Sequence, residues 1–264
     1  MLVPIVPNAT RAALTLARFV LLEARRTRLP LIVLCALATA IGLAGFLSQL
    51  ALTESASLQA GVLAAFFRAT GIFVCASFVV TSMVRESNDK GTELLLSLPI
   101  SRIAYYAGKL LGFGVCGVLV AGIFSIVMLV WSPVLAVIAW FASLSLEIWM
   151  MVAVSLFFVV TLGDVVPALA ASAGVYLLGR TVAAIQSISA SPIGAEDDVM
   201  HRIAGWVIDA LALALPPLDR ATQTNWLLYA PPSAGELLNV AASLIVYGGL
   251  VTAAGLFDFH RRNL

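Results

Sequence analysis

The chain has 264 residues, of which 61% are hydrophobic and 11% charged, and its formal net charge is +1. Soluble domains are about 45–50% apolar and about 25% charged, so a soluble fold of this length could not cover so much apolar surface. The composition therefore predicts an integral membrane protein, and the absence of a basic stripe with interleaved aromatic residues argues against nucleic-acid binding.

The first predicted element is an amphipathic helix over residues 11–28. At 100° per residue one face is polar, and it carries Arg11, Thr15, Arg18, Arg25 and Arg26. The opposite face is small and apolar, and it carries Ala13, Leu16, Ala17, Val20 and Ala24. We expect this helix to lie in the membrane interface, with its apolar face in lipid and its arginines at the headgroups. The alternative is a cytoplasmic extension of the first span.

Six apolar stretches of about 20 residues follow, the length at which a helix crosses the hydrocarbon core. They are continuous in hydropathy and do not alternate with polar residues, which favours helices over the strands of a barrel. The predicted spans are 29–53, 62–84, 104–130, 134–162, 165–184 and 237–257. Most lysines and arginines fall on one side of these spans. The positive-inside rule then places both termini in the cytoplasm.

A long extracytoplasmic segment, 186–236, is predicted between the last two spans. Residues 203–215 within it are too short for a span and contain Asp209, so they predict an amphipathic or re-entrant helix that ends at Pro216 and Pro217. The acidic residues nearby and His201 match no metal-ligand spacing, and we predict no metal site. That set comprises Glu196, Asp197, Asp198, His201 and Asp209.

The loop 85–103, between the second and third spans, carries most of the remaining cytoplasmic polarity. Asn88, Asp89 or Thr92 can cap a short helix, and Pro99 ends it. Ser101 can then cap the third span. The short helix exposes a leucine-rich surface, Leu94, Leu95, Leu96 and Leu98. That surface either lies back on the membrane or the bundle, or fills a groove on a soluble partner.

This loop resembles the first cytoplasmic loop of ABC-2-type permeases. The similar features are an acidic residue, Gly-Thr, a leucine run, Pro, Ser-Arg and a Gly-Lys pair, which here are Glu86, 91–102 and 108–109. The ending 257–264 is similar to the Phe-x-Arg-Arg-Asp-Leu ending common in that family. The resemblance implies an all-α integral membrane protein with six spans in the ABC-2 (type V exporter-like) arrangement, in a bacterial cytoplasmic (inner) membrane.

The resemblance also implies that 91–99 is a coupling helix that docks on a separate cytoplasmic ATPase. The implied coupling residues are Glu86, Gly91, Thr92, Glu93, Leu94, Leu95, Leu96, Leu98, Pro99 and Arg102. Gly108-Lys109 lacks the spacing of a phosphate-binding P-loop, so we expect no catalysis and no cofactor in this chain, with ATP and Mg bound by the partner. Two ATPase copies and a second permease copy, identical or related, would complete the assembly.

Glu147 lies near the middle of the fourth span, where an ionised carboxylate is costly. Arg68 and Arg180 sit toward the outer halves of the second and fifth spans and are its candidate partners, and a protonated carboxyl is the alternative. These three residues are candidates for translocation or gating, and a purely structural ion pair is the alternative. Gly108, Gly112 and Gly117 favour close helix packing, within one subunit or at a dimer seam.

Three functions remain open from the sequence. The first is a permease that exports or flips a substrate with a separate ATPase. The second is ATP-driven transmission of motion to an extracytoplasmic partner, for example in metalloenzyme maturation, without substrate passage. The third is a polytopic membrane enzyme or scaffold without an ATPase, although the chain carries no HExxH or GxSxG motif.

Overall fold

A computed structural model describes residues 9–50, 55–91, 100–190 and 199–261, without the side chains of 50, 55, 188–190 and 199–204. Within these ranges the chain is almost entirely helical. In chain order the helices are α1 (Ala9–Arg26), α2 (Leu29–Leu50), α3 (Ser55–Asn88), α4 (Arg102–Met128), α5 (Val134–Leu162), α6 (Val165–Ala190), α7 (Val199–Ala214), α8 (Asn225–Leu228) and α9 (Ala234–Arg261).

Six of the described helices, α2 to α6 and α9, are long and apolar enough to cross a membrane, as predicted. The bounds of α5 agree with the predicted span because the sequence marks both ends. Pro133 precedes its first residue, and Gly163 follows its last in the left-handed conformation, with φ 80°. The other helices do not end where the predicted apolar spans end. α3 extends beyond the predicted 62–84 to Ser55–Asn88, because helical hydrogen bonding continues into polar sequence.

The spans run alternately up and down, joined in places by short turns such as 129–133 and 163–164. We call the end of the bundle where α3 ends and α4 begins the stem end, and the opposite end the distal end. α5 is the central helix and packs against α3, α4, α6, α8 and α9. Its Trp140, Leu144 and Ile148 are completely buried.

The amphipathic helix α1 is present, but its apolar face does not lie in lipid as predicted. Leu16, Val20 and the alanines of that face are buried in the protein, where α1 packs along α4. Gly108 and Gly112 make this packing close. A Cβ at Gly112 would lie 2.7 Å from the Val20 Cβ and 3.0 Å from the Ala17 Cα. An amphipathic pattern predicts that one face of a helix is covered, but lipid and another helix can cover it equally well.

The glycines of α4 pack within this chain, which is the first of the two alternatives considered for them. Gly108 and Gly112 face α1, and Gly117 faces α5, where an added Cβ would lie 2.5 Å from the Cγ2 of Ile148. Small residues therefore bring α1 and α5 close to opposite parts of the same helix.

The distal segment between α6 and α9 returns into the bundle after α7 has ended. The described side chains of α7, 205–214, are largely exposed, with Trp206 81% and Leu213 90% exposed, so this chain does not cover an apolar face of the helix. The following residues are buried instead, among them Leu218 and Ala221 at 0% exposure. The short helix α8 then contacts α3 and α5. We call residues 216–229 the re-entrant segment, and re-entry thus occurs after the predicted helix rather than in it.

Candidate functional site

Most of the predicted coupling residues, Thr92, Glu93, Leu94, Leu95, Leu96, Leu98 and Pro99, lie outside the described residues. The structure does describe the two stretches of chain that flank them, which include Glu86, Gly91 and Arg102. α3 ends at Asn88, and Lys90 follows with a positive φ of 54°. Gly91 then lies against Glu86, because a Cβ there would be 3.1 Å from the Glu86 Cγ. A compact turn at residues 89–91 thus ends helix α3.

Glu86 is tied to α4 inside the chain. Its carboxylate accepts a hydrogen bond of 2.8 Å from the Tyr105 hydroxyl and forms an ion pair with the Lys109 ammonium. The Lys109 side chain is only 1% exposed, and its ammonium lies 5.8 Å from the centre of the Phe113 ring. Because 14% of the Glu86 side chain is exposed, little of it is left for a partner protein.

The Glu86–Lys109 pair was not predicted from the sequence, although the position of Lys109 indicates that it needs a partner. A lysine a few residues inside an apolar stretch requires an anionic partner when it is buried. The acidic residues of the adjoining loop are the closest candidates along the chain.

The first turn of α4 is joined to the end of α9. The Ser101 hydroxyl accepts a hydrogen bond from the Ala104 amide at 3.2 Å, which confirms the predicted cap of the third span. Arg102 donates to the carbonyls of Phe259, at 3.2 Å, and His260, at 3.0 Å. These carbonyls lie in the last turn of α9, where a helix leaves its C=O groups without intrahelical partners.

A further ion pair joins α1 to α3 at the same end. Glu23 of α1 accepts a 2.8 Å hydrogen bond from the Ser82 hydroxyl and pairs with the Arg85 guanidinium. The stem end therefore holds α1, α3, α4 and α9 together through ion pairs and hydrogen bonds of their side chains.

The second polar cluster lies near the middle of the bundle, around Glu147. This side chain is 0% exposed, and its carboxylate lies 3.4 Å from a guanidinium nitrogen of Arg180. Of the two candidate partners, Arg180 is the one that pairs with Glu147. Arg68 donates instead to the Thr222 carbonyl, at 2.8 Å.

Both arginines hold the re-entrant segment. Arg180 donates to the carbonyls of Leu218 and Ala221, the latter at 2.9 Å. Irregular backbone at membrane depth needs such donors, because lipid offers none to its unpaired carbonyls. The cluster therefore joins α3, α5 and α6 to the re-entrant segment through a single layer of polar groups.

Two residues of this cluster were not predicted, Thr222 and Ser143. Thr222 is completely buried and has a positive φ of 47°. Its amide donates to the Ser143 hydroxyl at 2.9 Å, and the two hydroxyls lie 3.1 Å apart. A non-glycine residue in this conformation is uncommon, and the contacts of Thr222 with α5 hold it there.

Of the acidic residues in the distal segment, Glu196, Asp197 and Asp198 lie outside the described residues. Asp209 accepts a 3.0 Å hydrogen bond from the Gln186 amide, which links α7 to α6. In the described part of the chain, no three His, Cys, Asp or Glu side chains come together as a metal site would require.

A family model described as "ABC-2 family transporter protein" matches residues 38–215, more than half of the chain. The chain belongs to the ABC-2 transporter family. The matched range runs from α2 through α7. It contains the loop 85–103 and also Glu147 with its two arginines. Membership confirms the resemblance drawn from the loop, and it implies a permease that associates with an ABC ATPase in a membrane. A comparison with curated proteins returns no match.

Proposed function

We propose that this ABC-2 permease couples ATP hydrolysis by a separate cytoplasmic ATPase to the export or flipping of a substrate. The proposal rests mainly on the contacts at the stem end. Glu86 and Lys109 join the chain before residues 92–99 to α4, and Arg102 joins the chain after them to α9. A segment that transmits force needs such stiff attachments. A loop that only connects two helices does not need such attachments.

The coupling mechanism that we propose begins when the ATPase moves residues 91–99. The Glu86–Lys109 pair and the Arg102 contacts then transmit this motion to α3, α4 and α9, and the Glu23–Arg85 pair transmits it to α1. ATP and Mg bind to the ATPase, and the permease itself is not catalytic. In this proposal the stem end is cytoplasmic, both termini lie inside, and the membrane is a bacterial inner membrane. Two ATPase copies and a second permease copy, identical or related, complete the transporter.

A translocation or gating role for Glu147, Arg68 and Arg180 is part of this proposal. The same cluster favours a second candidate function, transmission of motion to an extracytoplasmic partner without substrate passage. Both arginines donate to the backbone of the re-entrant segment, so a movement of α3 or α6 would move a distal surface directly. The absence of any flux in a complex that still changes its distal surface with ATP would favour this second function.

Co-purification of the tagged chain with the products of neighbouring genes tests the proposal. We expect an ATPase with P-loop motifs to co-purify, and its activity to change when the permease is reconstituted with it. Charge reversal at Glu93 and replacement of Leu95 by Asp should weaken this association, while Arg18→Gln on the exposed face of α1 should not. If no ATPase co-purifies and neither loop variant differs from wild type, the proposed coupling is wrong.

A further inference from the structure

A groove of about 490 Å³ runs along the surface between the start of α2 and the second half of α3. Its lining changes character along its length. Arg28 and Arg85 lie at the stem end, and Ile32, Phe73 and Phe78 line the part that extends toward the middle of the membrane. A cationic opening above an apolar channel is complementary to an amphiphile with an anionic head.

The opening carries more positive than negative charge. Arg85 pairs with Glu23, whose carboxylate also accepts from Ser82, and 57% of the Arg85 side chain is still exposed. Arg28 is exposed, and among the described residues no hydrogen bond or ion pair engages its side chain. Glu23 thus pairs with Arg85, and Arg28 leaves the opening with a surplus positive charge.

From its cationic opening to Phe73, the groove spans about the depth of one leaflet. Phe73 and Arg85 are both on α3, twelve residues apart, which corresponds to about 18 Å along a helix. One leaflet contributes about half of a hydrocarbon core of about 30 Å. Phe73 is 57% exposed and Ile32 46% exposed, so the channel is open to the side from which a lipid would enter.

We propose that this groove binds one anionic phospholipid from the leaflet at the stem end. Its phosphate lies between Arg28 and Arg85, and one acyl chain follows Ile32, Phe78 and Phe73. Arg85, which lines the groove, also pairs with Glu23 and so joins α1 to α3, and a lipid phosphate there would contact this junction. A second copy of the chain fits less well, since twofold contacts would bring the same cationic openings together.

Native mass spectrometry of the full chain, purified in mild detergent from membranes that contain phosphatidylglycerol and phosphatidylethanolamine, tests the proposal. We expect one phosphatidylglycerol per chain to be retained in preference to phosphatidylethanolamine. Arg28→Gln should lower this retention about fivefold, the usual effect of one arginine at an anionic bilayer surface. Arg18→Gln, an exposed arginine of α1 outside the groove, is the matched control and should retain the lipid.

A second variant tests the apolar part of the groove. Ser77 lines it, and Ser77→Trp should displace the acyl chain while leaving both arginines in place. Equal retention of the two lipids by wild type, equal losses in Arg28→Gln and Arg18→Gln, or full retention in Ser77→Trp would each overturn the proposal. A disulfide between two copies carrying Val74→Cys in a background without native cysteines would show instead that a second chain covers the groove.

Discussion

The Lys109 ammonium and the Glu86 carboxylate form an ion pair that joins α4 to the end of α3, with the Lys109 side chain only 1% exposed. The Tyr105 hydroxyl donates a 2.8 Å hydrogen bond to the same carboxylate. A cation and an anion that leave water together depend on each other, and removal of one leaves the other buried without compensation. In the coupling that we propose, this pair and Arg102 help to transmit a displacement of residues 92–99 to the helices.

Lys109→Met is expected to lower the free energy of unfolding by about 3–5 kcal/mol, because Glu86 loses its buried partner. The double variant Glu86→Gln/Lys109→Met should be less destabilised than Lys109→Met alone, since no unpaired charge remains. Thermal unfolding in detergent, followed by circular dichroism, measures both. Lys90→Met removes an exposed lysine next to the same loop and serves as the control. Glu86→Gln alone completes the double-mutant cycle, and additive effects of the two single substitutions would show that the ion pair contributes nothing.

Gly112→Val is expected to destabilise the protein by about 1–3 kcal/mol, the usual cost of overpacking. The added Cβ would lie 2.7 Å from the Val20 Cβ, so α1 would have to move away from α4. Gly249→Val is a matched control in another membrane-spanning helix, because nothing lies within 4 Å of a Cβ there. Both substitutions introduce the same β-branched side chain, and the difference between their unfolding temperatures isolates the contact with α1. Equal unfolding temperatures would contradict the packing of α1 on α4.

The six spans could be predicted from sequence because length and hydropathy are local properties of each segment. Whether lipid or protein covers the apolar face of α1 is not local, since the answer depends on Gly108 and Gly112 about 90 residues away in the chain. Those glycines were recognised as a close-packing surface, but nothing in the sequence paired them with α1.

The polar cluster around Glu147 could likewise be predicted only in part. Glu147, Arg68 and Arg180 could be selected because charges inside spans are rare and costly. The main acceptors for Arg68 and Arg180, carbonyls of residues 218–222, could not be selected, because every residue has a carbonyl and its use depends on the path of the chain. The positive φ of Thr222 likewise has no local signal, since threonine seldom adopts it.

Arg180→Gln is expected to release the re-entrant segment toward the distal side, because the carbonyls of Leu218 and Ala221 lose their donor. Ala221 is 0% exposed, so a cysteine there reports this release. In a background without Cys35, Cys75 and Cys116, Ala221→Cys should resist a membrane-impermeant maleimide. The addition of Arg180→Gln should make it reactive. Arg220→Gln changes an arginine with a 78% exposed side chain in the same segment and should leave the cysteine protected. Equal labelling in all three proteins would contradict the anchoring role of Arg180.

Glu147→Gln distinguishes the structural from the gating interpretation of the cluster. A glutamine can still accept a hydrogen bond from Arg180, so the structural interpretation predicts that the cysteine of Ala221→Cys stays protected and that the permease–ATPase complex hydrolyses ATP at the wild-type rate in nanodiscs. The gating interpretation predicts the same protection with a changed rate, because gating depends on the negative charge. Because we propose a gating role for this cluster, we expect the second outcome, with Glu147 acting from its position 3.4 Å from Arg180. A changed ATPase rate with an intact, protected segment would assign Glu147 to gating.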